Sequence, residues 1–237
     1  MNFILCDHIS KVYGQGPSAV KAVHQIDFAI EAGDFVAVMG ESGSGKSTML
    51  SVMGAMNSPT EGRYVVDDID VYSLSGDRKA DFRREYLGFV FQSFHLLPYL
   101  SVIENVMLPL TTTGKTRRVK HQMAMEALSR VGLEDKAARL PNQISGGEME
   151  RTAIARAIVN NPSILLADEP TGNLDSRNSK AVMDLLVKLN RQGTTIIMVT
   201  HSAACAGYAQ RILHLKDGRL DSDEMLPNER AYCSAVA

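Results

Sequence analysis

The chain has 237 residues, of which 45% are hydrophobic and 22% charged, and it carries a formal net charge of −2. This length is sufficient for a sizeable core, and the composition is ordinary for a globular domain. The near-zero charge excludes an overall basic field that would attract nucleic acid or anionic lipid. The odd number of cysteines is typical of free thiols in a reducing compartment, and they are Cys6, Cys205 and Cys233.

The chain shows no membrane-targeting pattern. Its first residues, MNFILCDHIS, lack a basic region and carry Asp7 where an apolar stretch would continue, so we expect no secretory signal peptide. No apolar run approaches the roughly 18 residues that a membrane-spanning helix requires. We therefore expect any role at a membrane to be exerted from outside the bilayer or through a partner.

Predicted strands and helices alternate along most of the chain. Short apolar segments rich in β-formers predict buried strands at residues 34–40, 86–92, 162–170 and 194–201. Helical spacing of apolar residues predicts helices at residues 46–56, 120–132 and 176–193. The segment RILHLKDGRL predicts a strand followed by an Asp-Gly hairpin turn.

This alternation predicts a single α/β domain with a mostly parallel sheet. Strands that are apolar on both faces and separated by helices imply a sheet that is covered on both sides. The segments FILCDHISKVY and KAVHQIDFAIEAGD predict an N-terminal antiparallel addition to the main sheet, and residues 93–158 predict an inserted helical subdomain. The α/β core would then span about residues 1–92 and 159–220, followed by a polar, weakly patterned tail at 221–237.

The segment GESGSGKS, at residues 40–47, matches the phosphate-loop pattern G-x-x-x-x-G-K-[ST] between a predicted strand and a predicted helix. Backbone N–H groups of such a loop cradle phosphate oxygens, and the helix N-terminus adds partial positive charge. Lys46 would reach the β- and γ-phosphates, and the Ser47 hydroxyl would bind Mg²⁺; a chance glycine-rich turn is the alternative. The predicted ATP-binding residues here are Gly40, Glu41, Ser42, Gly43, Ser44, Gly45, Lys46, Ser47 and Thr48.

Polar residues follow the predicted buried strands. The strand ILLADE ends in Asp168, which would hold Mg²⁺, and Glu169, which would act as the base for an attacking water. His201 follows the next strand and could donate to the γ-phosphate, and Gln92 could bind both metal and water. Solvated acids and structural polar residues are the alternatives, but the carboxyl ends of parallel strands are where ligands bind in open α/β sheets.

The order of these motifs resembles the ABC-type ATPase cassette over essentially the whole chain. The resemblance rests on the phosphate loop, Gln92, ISGGE, ILLADEP, NLD and His201, and Ser-Gly-Gly is specific to this family among phosphate-loop proteins. It implies ATP and Mg²⁺ as cofactors, and two copies paired head to tail with ATP between the phosphate loop of one and the signature motif of the other. The signature residues are Ser145, Gly146, Gly147 and Glu148; a plain helix N-cap is the alternative.

Other roles are implied by position in the family pattern. Tyr13 matches the aromatic residue that stacks on adenine, although a strand-face tyrosine is the alternative, and Asp175 matches the loop that couples the two sites of the dimer. Gln92 matches the residue that links the nucleotide to a transmembrane partner. The apolar segment after it corresponds to the groove for a cytoplasmic helix of the permease, with Phe94, Leu96 and Leu97 as contact candidates or, alternatively, as core residues.

The signature motif departs from the family pattern at two positions. Glu148 stands where glutamine is usual, and Glu150 stands where a polar amide is common. A carboxylate can accept a hydrogen bond, for example from a ribose hydroxyl, but it cannot donate one, and its charge must meet polyphosphate. An acid in the first helical turn is favourable by roughly 0.3–1 kcal/mol. We therefore expect a modest change in nucleotide affinity and retained hydrolysis.

Three longer motifs resemble the branch of the family that serves lipoprotein release, macrolide export, antimicrobial-peptide resistance and haem export. These are GFVFQSFHLLPYLSVIENVMLPL, LPNQISGGE and NNPSILLADEPTGNLDS. The resemblance implies an ATPase subunit on the cytoplasmic face of the inner or plasma membrane, bound to two permease chains. Transmembrane signalling to cell-wall hydrolases during division and a soluble cassette acting on ribosomes or DNA are the alternatives, and the cargo is not encoded in this chain.

Overall fold

A computed structural model describes residues 3–227 of the chain. Cys233 and the end of the predicted tail therefore lie outside the described residues. The strands in chain order are β1 (Ile4–Tyr13), β2 (Val20–Ile30), β3 (Phe35–Met39), β4 (Glu61–Val66), β5 (Ile69–Asp70), β6 (Leu87–Val90), β7 (Ile164–Asp168), β8 (Thr195–Val199), β9 (Arg211–Lys216) and β10 (Arg219–Met225). The helices are α1 (Lys46–Met53), α2 (Gly76–Tyr86), α3 (Val102–Met107), α4 (Arg117–Arg130), α5 (Gly146–Ile158), α6 (Ser176–Arg191) and α7 (Ala203–Ala206).

The main sheet is mostly parallel, as the alternation of strands and helices predicts. Its strand order is β10-β9-β3-β8-β7-β6. The pairs β9/β3, β3/β8, β8/β7 and β7/β6 are all parallel, and β10 is antiparallel to β9. The central strands β3, β7 and β8 are almost entirely buried, which explains their continuous apolar sequences.

Side chains that alternate along the main sheet enter two separate cores. Phe35 and Ala37 of β3 pack in a cluster with apolar residues of helices α3 to α6. Val36 and Val38, between them in sequence, pack with residues of α1 and of the smaller sheet. Because successive side chains of a strand point to opposite faces, the sheet is the wall between a helical layer and a β layer.

The N-terminal strands form a second sheet and do not join the main one. Their four-stranded sheet has the order β2-β1-β4-β5, and its pairs are antiparallel. The sequence predicted the antiparallel β1/β2 pair but neither β4 nor β5. β2 pairs with one edge of β1 and β4 with the other, and the apolar side chains of this sheet pack in one cluster with residues of α1 and the main sheet.

Two other elements differ from the sequence prediction. The segment before β6 is the charged helix α2, which ends at Tyr86 and buries only Phe82 among its residues, so it has little apolar periodicity. The strand predicted at residues 86–92 is accordingly shorter, and Gln92 lies in the turn that follows β6. The hairpin predicted at Asp217–Gly218 is present. Its second strand β10 continues to Met225, beyond residue 220, where the sequence predicted the end of the α/β core.

Asn105 organises the loop between β6 and α3. It is fully buried, and its Oδ1 accepts a hydrogen bond of 2.7 Å from the backbone N–H of Leu97. Its Nδ2 lies 3.0–3.1 Å from the carbonyl oxygens of Leu97, Leu100 and Ser101, to which it donates. The loop has little regular structure of its own, so one amide side chain satisfies backbone groups that neither a helix nor a sheet pairs.

Asn105→Ala is expected to lower the free energy of unfolding by about 2–4 kcal/mol, because it removes these bonds and leaves buried backbone groups unpaired. Denaturant unfolding measures this difference. The control is Asn142→Ala, at an exposed position, which we expect to change stability by less than about 0.5 kcal/mol. Equal stability of the two variants would contradict this role of Asn105.

Candidate functional site

The phosphate loop joins β3 to α1 through a backbone path that requires glycine. Gly40 has φ +156° and Gly45 has φ +101°, which side-chain-bearing residues rarely adopt. A Cβ at Gly40 would collide with the carbonyl oxygen of Leu215, and one at Gly45 with that of Ala22. The glycines of the motif thus allow the loop to turn tightly against β2 and β9 before α1 begins at Lys46.

Lys46 lies at the centre of this loop. Its side chain is 8% exposed, and its Nζ donates to the carbonyl oxygens of Gly40 at 2.7 Å and Glu41 at 2.6 Å. The ammonium group is therefore held by the concave side of the loop, as expected of a group that binds anionic phosphates. The loop borders a cleft of about 530 Å³, and the predicted site residues that line it are Ser42, Gly43, Gly45, Lys46, Ser47, Thr48, Glu169 and His201.

Asp168 and Glu169 lie at the carboxyl end of β7. Asp168 is half-buried, and burial, followed by the charge of Glu169, raises its pKa, while the charge of Lys46 opposes this rise. A bound cation would stabilise the ionised forms of these two adjacent, partly desolvated carboxylates. The carboxylate of Asp168, the hydroxyl of Ser47 and the amide oxygen of Gln92 are hard oxygen donors of the kind that Mg²⁺ prefers.

Glu169 and His201 form a pair across neighbouring strands. Glu169 has φ +46°, and its backbone N–H donates to the carbonyl oxygen of Val199 at 2.9 Å. Its Oε2 lies 3.0 Å from Nδ1 of His201, whose side chain is largely exposed. A non-glycine residue in the left-handed region is uncommon and concentrates at functional sites. The turn directs the carboxylate toward the end of β8, where it contacts the imidazole.

Gln92 lies close to Glu169, and the two residues that it contacts there, Asn173 and Gly172, were not identified from the sequence. Its carbonyl oxygen accepts a hydrogen bond of 2.8 Å from Nδ2 of Asn173. A Cβ built on Gly172 would lie 3.1 Å from Nε2 of Gln92 and 3.4 Å from Oε2 of Glu169. Gly172 therefore leaves the space in which the amide and the carboxylate approach each other. Its position just beyond the ADEP sequence was the available signal.

The signature motif begins helix α5. Ser145 is its N-cap, and the Oγ of Ser145 accepts from the backbone N–H of Glu148 at 3.3 Å. In return, Oε2 of Glu148 accepts from the backbone N–H of Ser145 at 2.7 Å and from its hydroxyl at 2.8 Å. These bonds, with the backbone N–H of Ser145 first, lower the pKa of Glu148. Glu148 thus completes a capping box, and its carboxylate oxygen is bonded within the motif itself.

The signature motif is linked to the predicted coupling loop and lies apart from the phosphate-loop cleft. A Cβ at Gly147 would collide with Oδ1 of Asn178, so α5 packs closely against the start of α6. The backbone N–H and the Nδ2 of Asn178 both donate to the carboxylate of Asp175, each at 2.8 Å. Among the described residues, none of the signature residues lines the cleft at the phosphate loop.

Tyr13 stands at the end of β1, outside that cleft. It is 40% exposed, its hydroxyl accepts a hydrogen bond of 2.6 Å from Nδ2 of Asn57, and Nζ of Lys11 lies 5.2 Å from its ring centroid. Its predicted stacking on adenine stays a prediction. Phe94, Leu96 and Leu97 are half-buried in the loop that Asn105 organises.

A phosphate loop at the end of a parallel strand, with two acids at the end of a neighbouring one, defines a phosphate-loop nucleotide hydrolase. Residues 23–172, more than half of the chain, match the family model described as ABC transporter. The chain belongs to this family, as an ABC ATPase. Within residues 3–227, no helix is long and apolar enough to cross a membrane.

Two relatives illustrate the similarity. The chain is 44% identical over 218 residues to the "Uncharacterized ABC transporter ATP-binding protein YvrO" of Bacillus subtilis, covering 92% of this chain and 95% of that protein. It is 45% identical over 216 residues to the "Macrolide export ATP-binding/permease protein MacB" of Chlorobium luteolum. That alignment covers 91% of this chain but 32% of MacB, so the chain spans about a third of that relative.

A solved structure of the ATP-binding cassette MJ0796 has the same fold. MJ0796 is a protein of Methanocaldococcus jannaschii. The two chains superpose with a TM-score of 0.86 at 41% identity, over 94% of this chain and 99% of that one. The solved structure is described as a dimer in a post-hydrolysis state bound to ADP and Pi. The comparison confirms the predicted α/β cassette fold.

Glu150 is the other acid in the signature helix, and it is buried. It is 1% exposed, and neither of its carboxylate oxygens has a hydrogen-bond partner among the described residues. Burial raises its pKa from the usual 4.5 to about 8, although the positive charge of Arg156 acts in the opposite direction. Burial therefore favours the protonated form of Glu150 in the folded chain, which is uncharged like the amide that is common at this position.

Glu148→Gln is expected to retain ATP hydrolysis and to change ATP affinity by less than about tenfold, since glutamine also accepts in a capping box and only one nearby charge is removed. Nucleotide binding and phosphate release measure the two effects. Glu126→Gln, at an exposed position of α4, is the charge-matched control. Loss of ATPase activity in Glu148→Gln would show that the carboxylate itself is required.

Glu150→Gln is expected to change how stability depends on pH. Between about pH 4.5 and pH 8 the unfolded chain ionises Glu150 while the folded chain retains the proton, so the stability contributed by this residue falls as pH rises. The loss is at most about 1.4 kcal/mol per pH unit and levels off above about pH 8. Urea unfolding of both proteins at pH 6, 7 and 8 should therefore give a gap that grows with pH, and a constant gap would contradict the buried protonated state.

Proposed function

We propose that the chain is the ATP-hydrolysing subunit of a membrane ABC exporter, and that two copies bind ATP head to tail. The observation that carries this proposal is the separation of the two phosphate-binding motifs within one chain. The signature motif at the start of α5 lies apart from the phosphate-loop cleft, so a second copy supplies the other half of each site. The relative MJ0796, with a dimeric structure, supports this arrangement.

Each residue around the phosphate loop has a separate role in the proposed reaction. Lys46 and the loop N–H groups bind and orient the phosphates, with Ser145, Gly146 and Gly147 of the second copy on the opposite side. Glu169 accepts the proton of the attacking water as its oxygen bonds to the γ-phosphorus and the bond to the bridging oxygen breaks, which yields ADP and phosphate. His201, held by Glu169 at 3.0 Å, donates toward the γ-phosphate.

Mg²⁺, when bound by Ser47, Gln92 and Asp168, would neutralise charge on the phosphate oxygens. Gln92 also connects the site with the loop that follows it, because its backbone is bonded to Asn173 and its side chain lies beside Gly172. Tyr13 would stack on the adenine and Asp175 would couple the two sites of the dimer. The roles of Tyr13 and Asp175 follow from position in the family pattern, and the contacts of Gln92 with Asn173 and Gly172 support only its link to the loop that follows β6.

Membrane partners are the second part of the proposal. The half-buried side chains of Phe94, Leu96 and Leu97 would contact a cytoplasmic helix of a permease, and two such permease chains would hold the dimer at the cytoplasmic face of the membrane. Relatives named for macrolide export favour an exporter. The cargo class would be hydrophobic or amphipathic: a lipoprotein, a macrolide, an antimicrobial peptide or haem.

Glu169→Gln tests the proposed base and the proposed dimer together. The amide cannot accept the proton, so we expect ATP binding to persist, phosphate release to fall by at least about 100-fold, and an ATP-dependent dimer to accumulate in size-exclusion chromatography. Lys46→Ala is the matched control, because it should lose nucleotide binding or turnover and stay monomeric. Sustained turnover in Glu169→Gln would remove Glu169 as the base, and undiminished ATPase activity in Lys46→Ala would refute the phosphate-loop assignment.

A further inference from the structure

The hairpin turn between β9 and β10, at Asp217–Gly218, is hydrogen-bonded to the phosphate loop. The backbone N–H of Gly218 donates to the carbonyl oxygen of Ser44 at 3.1 Å. The carbonyl oxygen of Gly218 accepts from the backbone N–H of His24 at 2.7 Å. Gly218 therefore joins the phosphate loop to β2 through both of its backbone groups, and the proposed reaction gives this turn no role.

The backbones of the turn, the phosphate loop and β2 approach one another closely. A Cβ built on Gly45 would collide with the carbonyl oxygen of Ala22 and would lie 3.5 Å from Cα of Gly218. A Cβ built on Gly218 would lie 3.0 Å from the same carbonyl oxygen, which is tighter than side chains normally pack. Gly218 also has φ +75°, a backbone angle that favours glycine. A side chain at this position would therefore press on the junction.

The hairpin contacts the phosphate loop at both of its ends. A Cβ at Gly40 would collide with the carbonyl oxygen of Leu215 in β9, and Gly218 bonds to Ser44 at the other end. Gly45 lines the cleft of about 530 Å³ at the phosphate loop, whereas Gly218 does not. The turn thus supports the loop from outside the cleft.

The bond from Gly218 fixes the direction of the Gly45 N–H. A peptide unit is planar, and in the trans form, which all described peptide bonds have, its C=O and N–H point in opposite directions. The carbonyl oxygen of Ser44 points to the turn, so the N–H of Gly45 in the same peptide unit points away from it. Among the described residues this N–H has no hydrogen-bond partner. It is therefore available to an acceptor, such as a phosphate oxygen, just before α1 begins.

We propose that Gly218 is a positioning residue for the phosphate loop, and that its bond to Ser44 directs the Gly45 N–H toward the phosphates of a bound nucleotide. The inference rests on the proposed function in one respect, since it takes the phosphate loop as the nucleotide site. Alanine at position 218 would push against the carbonyl oxygen of Ala22 and weaken the bond to Ser44. The peptide unit could then rotate, and the Gly45 N–H would lose its direction.

Gly33, at the other end of β3, offers a matched control. Its φ of +85° is close to the +75° of Gly218. Its N–H donates to Oγ1 of Thr195 at 2.9 Å, and its carbonyl oxygen accepts from Nδ2 of Asn190 at 2.7 Å. A Cβ on Gly33 would meet no atom within 4 Å. Gly33→Ala therefore imposes a similar backbone strain in a hydrogen-bonded turn but leaves the phosphate loop unchanged.

The test compares the binding of Mg-ADP by the full chain in the two variants, since ADP occupies the phosphate loop without turnover. We expect Gly218→Ala to raise the dissociation constant at least about tenfold, as for the loss of one hydrogen bond to a charged acceptor, and Gly33→Ala to stay within about twofold of the wild type. Both are measured where urea unfolding shows them fully folded, so a lower affinity reports the site and not global stability.

The amide signal of Gly45 in nitrogen-15 NMR reports the positioning directly. We expect its proton to shift downfield when ADP binds to the wild type and to Gly33→Ala, and to shift less in Gly218→Ala. Equal ADP affinity of the two variants, or a full Gly45 shift in Gly218→Ala, would overturn the proposal.

If Gly218→Ala does not fold, Gly218→Asn and Gly33→Asn replace the two variants. Asparagine tolerates positive φ better than alanine, but its Cβ meets the same carbonyl oxygen of Ala22. A failure of the proposed function gives a different result, because the wild type would then bind no ADP, and that result would overturn the phosphate-loop assignment together with this inference. Dimerisation and permease binding do not enter the experiment.

Discussion

Parallel hydrogen bonding of β3, β8 and β7 is the constraint on which the rest of the site depends. Val38 of β3 and Asp168 of β7 are both in register with Val199 of β8, so the three strands end at the same level. The residues that follow them are the phosphate loop, Glu169 and the segment leading to His201. Main-chain pairing therefore brings these groups together, and the apolar residues on both faces of the sheet stabilise the pairing.

The signature motif has a different structural support. The N-terminus of α5 is held against α6 by the close contact of Gly147 with Asn178, and Asn178 also bonds to Asp175. This arrangement orients the signature motif independently of the phosphate loop. Glu148 and Glu150, which replace family-typical amides, differ in environment. Hydrogen bonds from Ser145 stabilise the ionised form of the first, whereas burial favours the neutral form of the second.

Three of the non-glycine residues with left-handed backbone angles lie at the candidate site or in the loop that follows β6. Glu169, Phe94 and His95 are non-glycine residues with φ between +44° and +48°. Each is held by a contact from a neighbouring element: β8 bonds the backbone of Glu169, and Arg156 bonds the carbonyl oxygens of the loop. Such conformations persist because the surrounding structure compensates for their cost.

The sequence by itself determined the α/β class, the phosphate loop, the strand-end acids and the signature helix, because these depend on local glycine patterns and on apolar periodicity. It did not reveal α2, whose charged residues bury only Phe82, or the separate sheet of β1 with β4. The partners of Gln92 and the burial of Glu150 were also decided by the tertiary structure. These features join residues from different elements or depend on which face of a helix is covered, and only packing fixes both.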